Sequence, residues 1–204
     1  VSMSSATCDV LGIGNAIVDI LAKTDEAFLT TQAMAKGSMS LIDEARAAAI
    51  YAAMGPAIEI SGGSAANTIV GVADFGAKTA FVGKVKNNQL GGVFSHDIRA
   101  AGVAFETGAA SDGPATACCY VLVTPDGERT MNTYLGAAQN LHPDDIDEAR
   151  IADAAITYLE GYLWDPKDAK DAFLKAAKIA HGAGRMVSLT LSDAFCVDRY
   201  RSEF

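Results

Sequence analysis

The sequence predicts an α/β fold, in which a sheet with parallel strands is covered by helices and accompanied by a second, smaller β sheet. Three observations carry this. Strand-type and helical segments alternate from Cys8 to Gly102, the order that parallel strands joined by crossover helices produce. Nineteen glycines in 204 residues and an alanine-rich texture suit close packing of helices on a sheet. From Ala115 to Leu135 the order changes to two strand-type segments joined by Pro125-Asp126-Gly127, a hairpin signal that stands outside the alternation.

Cys8 to Gly14 and Ile17 to Lys23 read as short strands, the first ending at glycine. Asp19 interrupts the second apolar run, and a buried carboxylate needs hydrogen-bond partners to offset its desolvation. It either accepts two vicinal hydroxyls of a ligand diol or faces water on an edge strand. Gly12-x-Gly14 is not a dinucleotide fingerprint, because Ile17 stands where the third glycine belongs and no helix pattern opens there. Asp25 to Ala35 and Asp43 to Met54 read as helices, each starting at an aspartate that can cap, with an extended piece at Lys36 to Ile42 between them. Met39 in that piece packs on a ligand or on a core.

The chain is organised around Glu59 to Val72. A strand-type segment stops at Gly62-Gly63, and Ser64 through Asp74 reads as a helix with Ser64 as its N-cap. Glycine pairs let a backbone take positive φ and approach a ligand closely, and Asn67, one turn in, carries both a donor and an acceptor. The result is a polar cradle lined by backbone, although a structural βα turn has the same local sequence. Lys78 to Val85 is the next strand and Leu90 to Ala101 the next helix. After the hairpin strands Ala115 to Thr124 and Glu128 to Leu135 come a short acidic helix from His142, a strand at Ala154 to Glu160, a helix from Asp165-Pro166 to His181, and a strand at Met186 to Leu191.

A net charge of -9 argues against a nucleic-acid partner, since phosphate neutralisation needs a concentrated basic surface. The apolar runs fall short of a membrane span and the N-terminus has no signal-peptide pattern, so a soluble, cytoplasmic protein is expected; Val1-Ser2 reads as an addition before a natural start at Met3. Cys8, Cys118, Cys119 and Cys196 lack metal-ligand spacing and read as reduced, mostly buried thiols; neighbours Cys118 and Cys119 must point to opposite faces of a strand. His96, His142 and His181 are scattered, which disfavours a hydrolytic triad.

Three separated segments, Gly12-Ile13-Gly14-Asn15-Ala16-Ile17-Val18-Asp19, Gly62-Gly63-Ser64-Ala65-Ala66-Asn67 and Phe75-Gly76-Ala77-Lys78-Thr79-Ala80-Phe81-Val82-Gly83, resemble the N-terminal part of the PfkB (ribokinase-like) carbohydrate kinases, and most of all the adenosine-kinase-like branch. The similarity runs across the whole chain to Thr190-Leu191-Ser192-Asp193-Ala194-Phe195-Cys196. It implies a Rossmann-like three-layer α/β/α core with a small β lid, and transfer of the γ-phosphoryl of ATP, with Mg²⁺, to a sugar hydroxymethyl group. The lid would draw on residues 15-23, 36-42, 115-124 and 128-135 within a single ribokinase-like domain spanning residues 1-204. The resemblance further implies that Asp19 and Asn67 hold ribose hydroxyls and that Gly62 and Gly63 serve as contact and hinge. Asn15, Ser64, Cys118, Met131 and Thr133 would line the acceptor pocket, and Tyr162 and Leu163 would stand against a base.

The family's Gly-Ala-Gly-Asp type segment with its catalytic aspartate does not occur in this sequence, nor does a G-x-x-x-x-G-K-[ST] loop. No catalytic residue is therefore assigned here; that segment is expected C-terminal to Phe204 in a longer protein. Lys86-Asn87-Asn88 and Ile69 depart from the family pattern and leave the subfamily open. The expected function is ATP-dependent phosphorylation of a nucleoside or sugar, adenosine or a ribose-like acceptor. The alternatives are a ribokinase/fructokinase-type sugar kinase and a non-catalytic ligand-binding relative. A homodimer through the lid is a further expectation, because its edge strands would otherwise be exposed.

Overall fold

The computed structural model describes residues 6–204, so that the start-site expectation for Val1, Ser2 and Met3 lies outside the described residues. Among these residues the chain builds two sheets and passes between them four times. It starts in the core sheet with β1 (Cys8–Ile13) and crosses to the second sheet for β2 (Ile17–Lys23), α1 (Glu26–Thr31), β3 (Met39–Leu41), α2 (Glu44–Ala53) and β4 (Ile58–Gly62). It returns through α3 (Ser64–Asp74) to β5 (Thr79–Val82), α4 (Gln89–Ala100) and β6 (Val103–Phe105). β7 (Ala117–Val123) and β8 (Arg129–Tyr134) again belong to the second sheet, and α5 (Glu148–Asp153), β9 (Ala154–Glu160), α6 (Lys167–Gly182), β10 (Met186–Thr190) and α7 (Ala194–Tyr200) complete the core side.

The core sheet has the order β10-β9-β1-β5-β6, all pairs parallel. Its strands alternate sides as a pleat requires: Leu11, Ile13, Ala80 and Val82 pack toward α5 and α6, while Phe81 packs with Phe94, Ile98 and Ile69 of α4 and α3. In α6 the buried residues Ala169, Ala172, Phe173, Ala176 and Ala180 recur at three- and four-residue spacing, a stripe of four alanines and one phenylalanine that faces the core. Helices on both faces of a parallel sheet make the three-layer α/β/α architecture that the sequence predicts.

The second sheet has the order β3-β8-β7-β2-β4. Its β2–β7 and β3–β8 pairs are parallel, and its β7–β8 and β2–β4 pairs antiparallel. One face, carrying Val18, Ile20, Cys118 and Tyr120, is buried with Ala47 and Ile50 of α2 and Phe94 and Ile98 of α4.

Several boundaries depart from the sequence reading. The segment before Gly62-Gly63 is not a core strand: β4 pairs antiparallel with β2 and forms an edge of the second sheet, because its register partners lie there. The extended piece at 36–42 shortens to Met39–Leu41, since Lys36 and Gly37 form a turn in which Gly37 has φ 74°. The acidic helix at His142 is a 3₁₀ turn over Pro143–Asp145, and α5 follows with Asp147 as its cap. The three-residue strand β6 and the helix α7, capped by Asp193, add elements that the sequence pattern did not indicate.

Candidate functional site

The face of the second sheet that points away from α2 and α4 carries the candidate site. Register places Leu41, Thr133, Cys119, Asp19 and Ile60 in one row across all five strands, and directly opposed residues share a face. The neighbouring row contains Met39, Met131, Val121, Leu21 and Ile58. Asp19 is thus a lone carboxylate in an apolar surface whose outer members remain open: Met39 is 47% exposed, Leu41 56%, Ile58 67% and Ile60 39%. Desolvation pushes the Asp19 carboxyl up to about 6 against the opposing pull of Arg129. Such a group gains from hydroxyl donors that replace lost water.

Asp19 also dictates what stands opposite. A Cβ on Gly62 would overlap the Asp19 carboxyl group, so glycine lets β4 run past it without displacing it. Gly63 follows with φ 96° and ψ 143°, a backbone conformation that L side chains rarely adopt, and a Cβ there would lie 2.5 Å from the Asn15 carbonyl oxygen. Gly63, not Ser64, is the N-cap of α3, and it provides no side-chain cap. The reason is geometric: the sharp return from β4 needs a positive φ at the cap position. Ser64 is the first helical residue, and Ser64 and Asn67, three apart on α3, are both exposed on neighbouring positions of its first turn.

The cap function passes to a residue from elsewhere in the chain. Glu160, at the end of β9 and only 1% exposed, accepts from the Ala65 N–H through Oε1 at 2.9 Å. Its Oε2 accepts from the Asn15 N–H at 2.7 Å and from Asn15 Nδ2 at 2.9 Å. Burial pushes this carboxyl up, while the donors from Asn15, Ala65 and the Ser64 side chain pull it down. Sequence reasoning passed over Glu160, although an acid closing an otherwise apolar strand before Gly161 is the same signal that marked Asp19.

Of the other expected site residues, Met39, Met131 and Thr133 share the face of Asp19, and Asn15 stands in the β1–β2 crossing, 2% exposed. Cys118 does not share that face. It points into the helix-covered side with Ile50 and Phe94, and its neighbour Cys119 takes the place beside Asp19, as strand alternation requires. Burial pushes the Cys119 thiol up to about 12, and Thr133 Oγ1 lies 3.2 Å from its Sγ, so it is a neutral packing group at neutral pH. Leu163 is likewise displaced from the expected role: it is 1% exposed and packs in the core with Trp164 and Phe173, because the turn after β9 folds it under α6. Tyr162 is held at the end of β10, where its N–H donates to Ser192 Oγ at 2.9 Å and its hydroxyl lies 3.2 Å from Asp193 Oδ2. Among the described residues no group of three or more His, Cys, Asp or Glu side chains is placed to hold a metal ion, and no helix is long and apolar enough to cross a membrane.

Comparison with known proteins agrees with this architecture. The model of the pfkB family carbohydrate kinases matches residues 59–201. The adenosine kinase of Sinorhizobium meliloti superposes with a TM-score of 0.89 at 55% identity, over 98% of this chain and 61% of that one. A probable sugar kinase protein from Rhizobium etli CFN 42 gives the same TM-score of 0.89 at 54% identity, over 98% of this chain and 60% of the other. Probable fructokinase-4 of Arabidopsis thaliana is 28% identical over 138 residues, which are 64% of this chain and 41% of that protein. The chain therefore spans about two fifths of the curated relative and three fifths of the solved ones.

Proposed function

Because the chain belongs to the pfkB family of carbohydrate kinases, we propose that it forms the acceptor-binding portion of an ATP-dependent phosphotransferase acting on the hydroxymethyl group of a nucleoside, with adenosine as the foremost acceptor. The observation that carries the choice of acceptor is the setting of Asp19. One carboxylate able to take two vicinal hydroxyls lies among Met39, Leu41, Met131 and Ile60, an apolar surface suited to a flat base and of little use to a bare sugar. The similarity to the Sinorhizobium meliloti adenosine kinase supports the same choice.

In this proposal Asp19 and Asn67 hold the ribose hydroxyls, and Gly62 and Gly63 let the backbone close on them. The face carrying Met39, Met131, Thr133 and Cys119 then covers the base as a lid and excludes water from the reacting hydroxyl. ATP and Mg²⁺ are the expected co-reactants. The described residues supply no metal-binding cluster, so no metal step is assigned to them, and the phosphoryl-transfer machinery is placed in the part of the intact protein that corresponds to the remaining length of the relatives. We assign the enzyme to the cytoplasm, where ATP is available, and propose a homodimer through the second sheet, whose edge strands are β3 and β4.

The similarity to a plant fructokinase favours a second reading, a sugar kinase of the ribokinase or fructokinase type. Calorimetric titration of this chain and of the full-length gene product with adenosine, ribose and fructose separates the two. Adenosine binding, followed by its phosphorylation with ATP by the full-length product, is the expected result. A response to fructose or ribose alone moves the protein to the sugar-kinase branch, and silence toward all three refutes both.

A further inference from the structure

The two crossings that frame the candidate site are tied by a single side chain. The chain leaves the core sheet through Gly14-Asn15-Ala16 and returns through Gly63-Ser64-Ala65, and both passages converge on the Glu160 carboxylate. Oε2 takes the backbone and side-chain N–H donors of Asn15, and Oε1 takes the N–H of Ala65. Together with the Ser64 side chain, these donors surround an acceptor-only group and form a charge-assisted cluster in a dry environment, where such bonds are strong. The strand that carries Glu160, β9, pairs with β1 and β10 in the core sheet. The carboxylate therefore fixes both crossings to the core. Beside it, Asn15 Oδ1 is buried without a partner, because Nδ2 is turned toward Glu160, and the crossing retains one acceptor that a donor can satisfy.

We infer that Glu160 is a positioning residue for acceptor binding: it clamps the β1–β2 and β4–α3 crossings and so sets where Asp19 and the first turn of α3 stand relative to each other. It acts through Asn15 and Ala65 and does not itself touch the acceptor. The inference rests on the acceptor-site reading proposed above. An amide in place of the carboxylate retains one accepting oxygen and points an NH₂ group at an N–H donor, so that one crossing loses its tie while size and shape are kept.

The test is Glu160→Gln, read by adenosine titration together with residue-resolved amide hydrogen exchange of the same chain. The expected result has two parts: faster exchange at Asn15 and Ala65 with Thr157 and Leu159 of β9 still protected, and a dissociation constant raised by about tenfold or more, the effect of one charge-assisted hydrogen bond. A merely structural role would speed exchange across the whole core together, and that outcome overturns the inference. So does local loosening with unchanged affinity. Wild-type protein offers a second measurement should the variant not fold: by reciprocity of coupling, saturating adenosine must slow exchange at Asn15 and Ala65, and unchanged exchange there overturns the clamp. If the wild type binds none of adenosine, ribose and fructose, the functional reading falls and this inference with it; if the wild type binds and Glu160→Gln binds equally well, the inference falls alone.

Discussion

Asp19→Asn separates stability from function at a single atom pair. The carboxyl has an ordinary value of 3.8 and is pushed up to about 6 in the folded protein, chiefly by desolvation. The folded state therefore holds more protons than the unfolded one between these values, and stability falls as pH rises through that window. It is fully present below the unfolded value and lost above about 6. At about 1.4 kcal/mol for each tenfold change in protonation, the penalty at neutral pH reaches about 3 kcal/mol, and partial exposure of the side chain reduces it to about 1–3 kcal/mol. Asparagine has the same shape and no charge. Urea unfolding of both proteins at pH 7.5 and at pH 4 should find the variant more stable by that amount at the higher pH and equal to wild type at the lower. Adenosine titration should find the opposite sign, a loss of about 10–100-fold from replacing charge-assisted hydrogen bonds. A stability difference that is the same at both pH values, or absent from both, refutes the desolvation argument; retained affinity refutes the diol assignment.

Other outcomes follow from the same geometry. Wild-type affinity for a diol acceptor should decline as pH is lowered below about 6, where Asp19 protonates, and titrations between pH 5 and 8 would detect it. Gly62→Ala should displace the Asp19 carboxyl and weaken acceptor binding at least as much as Asp19→Asn, with a stability cost of about 1–3 kcal/mol from overpacking that urea unfolding reads directly. Asn88→Ala removes the acceptor for the Gly91 N–H at 2.9 Å and for Thr116 Oγ1 at 2.7 Å, and should lower unfolding stability by about 1–2 kcal/mol without altering acceptor affinity. Cys119→Leu should reduce adenosine affinity because the added bulk stands next to Asp19, whereas Cys118→Val, on the helix-covered face, should leave it unchanged in the same titration.

Much of the architecture was determined by sequence alone, because its signals are local. Asp25 and Asp43 cap α1 and α2 as their positions before helical runs demand, and Pro125-Asp126-Gly127 turns β7 into β8. The β9 boundaries, Ala154–Glu160, follow from an apolar run bounded by glycine. Asp19 and Gly62-Gly63 stood out as candidates for a similar reason: a charge inside an apolar strand and two glycines before a helix conflict with simple packing. What sequence left open depends on contacts between distant segments. Strand alternation required Cys118 and Cys119 to face opposite ways, but only the packing of α2 and α4 on one side of the second sheet decided that Cys119 stands with Asp19. The membership of β4 in that sheet was set by its pairing with β2, not by its own residues. Leu163 left the expected pocket for the core cluster with Trp164 and Phe173. Glu160 lies 145 residues from Asn15 and 95 from Ala65, a separation across which no periodicity carries information. Local preferences wrote the elements, and the tertiary fold, by bringing two chain crossings onto one buried carboxylate, decided how they meet at the site.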